Sequence, residues 1–202
     1  MIGNALLALA AIAGSAKLPP VDERAADPSF IQFRAELLSA VEKRDVRATL
    51  DALDDRVLVD FGGGEGKAAF RSAWSLNSPE QSKLWGELKE ALSLGCAIRG
   101  GVAIAPSFSA QLDPDFDPYD TILAKPGAIL RNGYGQDVLA TLEWDLLTIS
   151  SWSMSDDSIQ VKLANDRTGY VKSDDVRGVG DYRLNMQKRG GIWRITAFVA
   201  GD

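Results

Sequence analysis

The chain of 202 residues contains no histidine. That removes the side chain most often used as general base, proton shuttle or metal ligand near neutral pH. One cysteine, Cys96, is present, so no disulfide can close within the chain. The Cys and His donor sets of zinc sites cannot be assembled either. A Ser-His-Asp triad is excluded, and no nucleophile-elbow pattern occurs. Cys96 as a nucleophile would lack its usual imidazole partner; a small buried hydrophobe is the better account. A basic surplus is missing as well. Lys and Arg number 22 against 28 Asp and Glu, a formal charge of −6. Nucleic-acid binding needs a clustered basic face, so the balance argues against it and against adhesion to anionic lipid.

Two motifs fail on inspection. Gly62-Gly-Gly-Glu-Gly-Lys67 suggests a phosphate loop, but Phe61 stands where its first glycine is needed and Ala68 where Ser or Thr is needed. A turn between strand and helix accounts for it better. Asp113, Asp115, Asp117 and Asp120 offer oxygens to calcium, but Pro114 and Pro118 stiffen the loop and no closing Glu follows. A solvated acidic loop is expected, with no metal and no cofactor.

Long apolar runs are also scarce. The longest, Ala5-Leu-Leu-Ala-Leu-Ala-Ala-Ile-Ala13, is too short to span a bilayer and leads into Gly14-Ser15-Ala16. Residues 1–16 therefore read as a secretory signal cleaved ahead of Lys17, although Met1 to Asn4 carries no Lys or Arg. A retained anchor or an N-terminal helix is the alternative. Cleavage would give a periplasmic or secreted protein with no transmembrane span. Residues 17–27, with Pro19-Pro20, read as a linker.

What is present is periodicity, first helical and then alternating. Asp27-Pro28 opens a helix, Asp as N-cap and Pro at the first position. Phe30, Phe33, Leu37, Leu38 and Val41 form its apolar stripe. Asp45 caps a second short helix. Arg56 to Phe61 reads as a strand, Phe70 to Trp74 as part of a helix, and Ser78-Pro-Glu-Gln81 as a capping box for another that ends at Gly95. Val102 to Ala105 reads as a short strand. From Tyr119 the pattern alternates: 121–124, 138–142, 146–149, 159–163 and 169–171 read as strands separated by turns. Gly190-Gly191 between residues 181–189 and 192–199 is a strong hairpin signal.

The region from about Lys125 to Val176 resembles a bacterial SH3-like (SH3b) domain. The resemblance rests on Ile129-Leu130-Arg131, Val138 to Leu142, Val161-Lys162-Leu163 and, most specifically, Asp166-Arg-Thr-Gly-Tyr-Val171. Two departures stand out: Glu143-Trp144-Asp145 replaces a turn glycine, and Ser158-Ile159 replaces a strand-opening tryptophan. The N-terminal part is similar to NTF2-like or cystatin-like domains, through its long amphipathic helix, the short helix after Arg44-Asp45, and the closing Gly191-Ile-Trp-Arg-Ile-Thr196. The resemblances imply an α+β fold with NTF2-like helices and sheet in 28–120. An SH3-like β-barrel is expected in 121–178, and a closing hairpin in 179–202 that completes the NTF2-like part.

The implied function is non-catalytic binding or scaffolding in the cell envelope. The barrel would take a peptide or cell-wall fragment through Trp144, Trp152, Tyr134 and Tyr170. Tyr170 as barrel core, with Trp74 and Trp193 as anchors of the other domain, is the competing view of the aromatics. The alternative function is a small-molecule-binding or isomerase-like use of an NTF2-like cavity, with Asp60 as its carboxylate. No catalytic residue is otherwise indicated, and oligomeric state is not encoded in any motif.

Overall fold

A computed structural model describes residues 16–112, 117–133, 137–151, 157–164 and 167–201. It is a mixed α+β protein with two large sheets. The chain divides into two compact units, one of residues 20–112 with 181–202 and one of 1–19 with 113–180.

In the first unit, helix α1 (Pro28–Glu42) begins as the sequence predicts: the Asp27 carboxylate accepts from the Ser29 amide, and proline occupies the first turn. Helix α2 (Val46–Asp51) is capped in the same way by Asp45, which accepts from the Ala48 amide. Strand β1 (Leu53–Leu58) begins three residues earlier than the apolar run suggested, and α3 (Gly66–Ala73) follows the glycine turn. The capping box expected at Ser78 is not the start of the next helix. Pro79–Gln81 is a single 3-10 turn, and α4 runs over Leu84–Ser93. Ser82 stands between them, its hydroxyl accepting from the Leu84 amide at 3.2 Å. Gly95, at φ +71°, reverses the chain after α4.

Strands β2 (Ala97–Arg99) and β3 (Val102–Ala105) form the next hairpin. The sheet of this unit has the order β1-β12-β11-β3-β2, where β11 is Arg183–Arg189 and β12 is Ile192–Val199. Gly190 and Gly191, at φ +60° and +84°, make the two-residue turn that a right-handed hairpin favours. The helices cover one face, and Phe30, Phe70, Leu88, Trp193, Ile195 and Phe198 are all buried between them and the sheet. Trp74 and Trp193 anchor this core, as one reading of the aromatics held.

The stretch read as a linker is held in place. Asp22 forms a bridge with Cys96, and the Glu23 carboxylate accepts from the Ile98 amide at 2.7 Å. In the other unit, Lys17 bridges to Asp145.

That unit is built from β4 (Thr121–Ala124), β5 (Ala128–Arg131), β6 (Val138–Leu142), β7 (Leu146–Ser151), β8 (Ser158–Lys162), β9 (Thr168–Lys172) and β10 (Val176–Gly178). Their order is β10-β4-β7-β8-β9-β5-β6. Ile122, Leu130, Leu142, Ile149, Val161 and Val171 share one buried cluster, so the sheet packs against itself. The expected barrel is corrected on one point. Among the described residues no pairing joins β10 to β6, so the strands form a seven-stranded sheet without closure. No helix among the described residues is long and apolar enough to cross a membrane.

Candidate functional sites

Among the described residues, two cavities combine ligand size with a mixed apolar and polar lining. The first, about 460 Å³, lies between α1, α2 and the start of β12. Its apolar floor includes Phe33, Leu37 and Trp193, and its rim carries Glu36, Ala48, Asp51 and Arg194. Such a volume falls in the range of small-molecule sites.

Trp193 is the fixed wall. Its indole Nε1 donates to Ser29 Oγ at 3.1 Å, and Ser29 Oγ donates to Asp27 Oδ1 at 2.6 Å. Lys188 Nζ sits 2.6 Å from Asp27 Oδ2 and 5.6 Å from the centroid of the Trp193 ring. The indole also meets Phe30, with centroids 4.7 Å apart. The hydrogen bond from Lys188, reinforced by Ser29, holds the Asp27 carboxyl down to about 2. The helix cap thus does a second task, because the carboxylate that starts α1 also positions the indole.

The second cavity, about 340 Å³, lies over β5, β8 and β9. Register explains its composition. Arg131 on β5 faces Tyr170 on β9, and Tyr170 faces Gln160 on β8, so the three form a row on one face. Lys172 and its partner Ser158 make the next row. The alternate residues, Val171 and Ile159, point into the core. Gln160 Nε2 donates to the Tyr170 hydroxyl at 2.9 Å and fixes the ring's polar end. Asp157 and Asp175 complete the lining. The Asp157 carbonyl accepts from the Ser173 amide at 2.9 Å, which ties the β8 entrance to the turn carrying Asp175.

The sequence-derived candidates fare unequally. Tyr170 is half-buried on the outer face and lines the second cavity; it is not core. Trp144 lies in the β6–β7 turn and is not part of that cavity's lining. Its φ of +58° puts it in the left-handed region, at the point where the SH3-like pattern has glycine. The turn holds it there: the Trp144 amide donates to the Ala124 carbonyl, and its own carbonyl accepts from the Leu18 amide, both at 2.9 Å. Tyr134 and Trp152 lie outside the described residues, as do Asp113 and Asp115. Among the described residues no cluster of metal-ligating side chains occurs.

Asp60 is a correction. The NTF2-like alternative puts it in a cavity, yet it is exposed beyond the end of β1. Its Oδ1 accepts from the Gly64 amide at 2.9 Å, and a Cβ on Gly62 would come within 3.1 Å of the same oxygen. The carboxylate organises the glycine turn and lines neither cavity described above. Phe61 is 55% exposed, with the Arg183 guanidinium 5.5 Å from its ring centroid. Cys96 is fully buried, and burial, with help from the Asp22 carboxylate, pushes its thiol up to about 11. It has the character of a packed hydrophobe.

Sequence reasoning missed Arg34, buried on α1, whose Nη2 donates to the Leu92 carbonyl at 2.6 Å and so caps the last turn of α4. It also missed the first cavity. Arg194 and the Ser29–Trp193 pair carry no local signal, because their residues lie 164 positions apart.

No family model matches the chain, and no curated protein does. Comparison with solved structures returns NTF2-like proteins at low identity. One, of unknown function, from Pseudomonas putida KT2440, is 12% identical, with 90% of this chain and 89% of that one covered and a TM-score of 0.32. An NTF-2 like protein of unknown function from Shewanella oneidensis MR-1 is 13% identical, covering 86% and 97%, with a TM-score of 0.30. A protein with a cystatin-like fold from Nostoc punctiforme PCC 73102 is 12% identical, covering 90% and 94%, also at 0.30. Likenesses this distant say nothing of activity.

Proposed function

We propose that the protein holds small ligands without covalent chemistry, and that the unit of residues 20–112 and 181–202 is an NTF2-like module whose working site is the Trp193 groove. The observation that carries this is an indole held by Ser29, Lys188 and Phe30 beside an apolar-floored groove of small-molecule size. An indole fixed in advance loses little side-chain freedom when a ligand packs against the edge it presents to the groove. The preferred ligand has a flat apolar body for the floor and a polar group for the rim of Glu36, Asp51 and Arg194. An isomerase-like use of the module is not retained, since Asp60 faces solvent and lines neither cavity described above.

The test is a fluorinated aromatic fragment library read by NMR on the intact protein. Hits should shift the amides of Gly191 to Arg194, and Ala48→Trp, which fills the groove from an exposed helix position, should abolish those shifts. A library without any hit at these amides would sink the reading.

A second reading has its own support. The unit of 113–180 is an SH3-like module without observed closure, and it holds a peptide or cell-wall fragment in the cavity beside Tyr170. Arg131, Tyr170 and Gln160 in one cross-strand row make a polar, aromatic platform suited to such a ligand. Envelope localisation goes with this reading. Cleavage ahead of Lys17 would cut the chain beside the Ala16 carbonyl that accepts from the Leu146 amide, but would leave Lys17 Nζ on Asp145 Oδ2 at 2.7 Å. Intact mass of the exported protein decides it: a start at Lys17 supports export with cleavage, and a retained Met1 overturns it.

A further inference from the structure

The cavity beside Tyr170 has an unusual charge arrangement for a groove that takes an internal stretch of polymer. Arg131 and Lys172 project from neighbouring strands on one face, while Asp157 and Asp175 lie at its edge near the β8 entrance and the turn before β10. An uncharged chain segment uses neither sign. A cationic or anionic ligand uses one and is repelled by the other.

From this geometry we propose that the Tyr170 cavity is a zwitterion site, which binds a free amino acid or a short peptide by both of its charged ends. The carboxylate end meets Arg131 and Lys172. The ammonium end meets Asp157 and Asp175, and the Tyr170 ring carries the apolar part between them. At about 340 Å³ the cavity sits at the small end of ligand sites, which suits one or two residues and not a long chain. Charge-assisted hydrogen bonds at both ends give selectivity that a flat aromatic groove alone does not have. The inference rests on reading this cavity as a ligand site, and narrows what that site accepts.

The experiment is an NMR titration of the full chain with alanylalanine, its N-acetyl form and its C-terminal amide. Free alanylalanine should shift the amides of β5, β8 and β9, and blocking either end should weaken binding about tenfold. Lys172→Gln should weaken the free dipeptide yet leave the amide unaffected, because the amide has no carboxylate to lose. Asp157→Asn should do the reverse, acting on the amide and not on the acetylated form. Lys172 and Asp157 are both exposed, so the spectra of these variants should stay dispersed, and they report folding in the same measurement. Equal affinity for free and blocked forms would overturn the zwitterion inference while leaving the cavity a ligand site. No shift with any of the three would overturn both.

Discussion

A single atom decides the stability of the β-sheet unit at Gly169. A Cβ there would lie 2.8 Å from Leu130 Cδ1 and 3.1 Å from the Arg131 carbonyl oxygen, and the second contact is backbone that cannot rotate away. Gly169→Val should therefore cost at least about 1–3 kcal/mol and melt this unit at lower temperature, as followed by circular dichroism. An unchanged melting temperature would refute the close approach. Trp144 poses the opposite problem, a large residue in a conformation that suits glycine. Trp144→Ala and Trp144→Gly lose the same ring, so their difference isolates the backbone; the glycine variant should be more stable by about 1 kcal/mol. Equal stabilities would mean the left-handed turn carries no strain. Cys96 offers a chemical check. With its thiol raised to about 11, it should resist a disulfide reagent at pH 8 in native protein and react fully on unfolding. The same scale shows why Asp60 was misread. A carboxylate beside an aromatic looks identical in sequence whether it faces a pocket or, as here, closes a glycine turn by accepting from the Gly64 amide.

Elements were legible where local chemistry alone decides them. Asp27-Pro28 and the Gly190-Gly191 turn each carry their conformation in two residues, and helix α1 and the β11–β12 hairpin lie where the sequence puts them. Strand β1 starts earlier than its apolar run because Asp54 and Asp55 look like loop; they become strand only by parallel pairing of β1 with β12, a partner far along the chain. Strand β2, three residues between two glycine-bearing turns, leaves no periodicity to detect. The Asp27 cap gives a prediction at this scale. Its carboxyl is held down to about 2, against about 4 when unfolded, so its stabilising contribution is complete above pH ~4 and is lost as pH falls through about 2. Asp27→Asn removes the ion pair with Lys188, so its denaturation midpoint should fall below the parent's at pH 6. The gap should narrow on acidification below pH ~4. A gap that persists unchanged into acid would mean the Lys188 contact contributes nothing. Because Asp27 also orients Ser29 against Trp193, the same variant should weaken fragment binding in the groove.

The largest scale concerns how one chain makes two units. Strands β3 and β11 pair antiparallel, with Ala105 opposite Leu184, so the first unit treats them as neighbours despite the long excursion between them. The excursion leaves and returns at one place. The Val179 amide donates to the Thr121 carbonyl, and a Cβ on Gly180 would lie 2.9 Å from the Pro118 carbonyl oxygen. Adjacent ends are what allow a unit to be inserted in, or removed from, a host fold at little cost. The first unit also has its own core, with Phe30, Phe70, Trp85 and Phe198 all inside it. Replacing residues 117–180 by a short glycine-serine linker should therefore leave a chain that unfolds cooperatively and keeps the Trp193 groove. Near-ultraviolet circular dichroism and a single denaturant transition are the measurements. The fragment shifts at Gly191 to Arg194 should survive the excision, whereas all response to alanylalanine should vanish. If the shortened chain were molten, or if dipeptide shifts persisted in it, the assignment of two ligands to two separately cored units would be wrong.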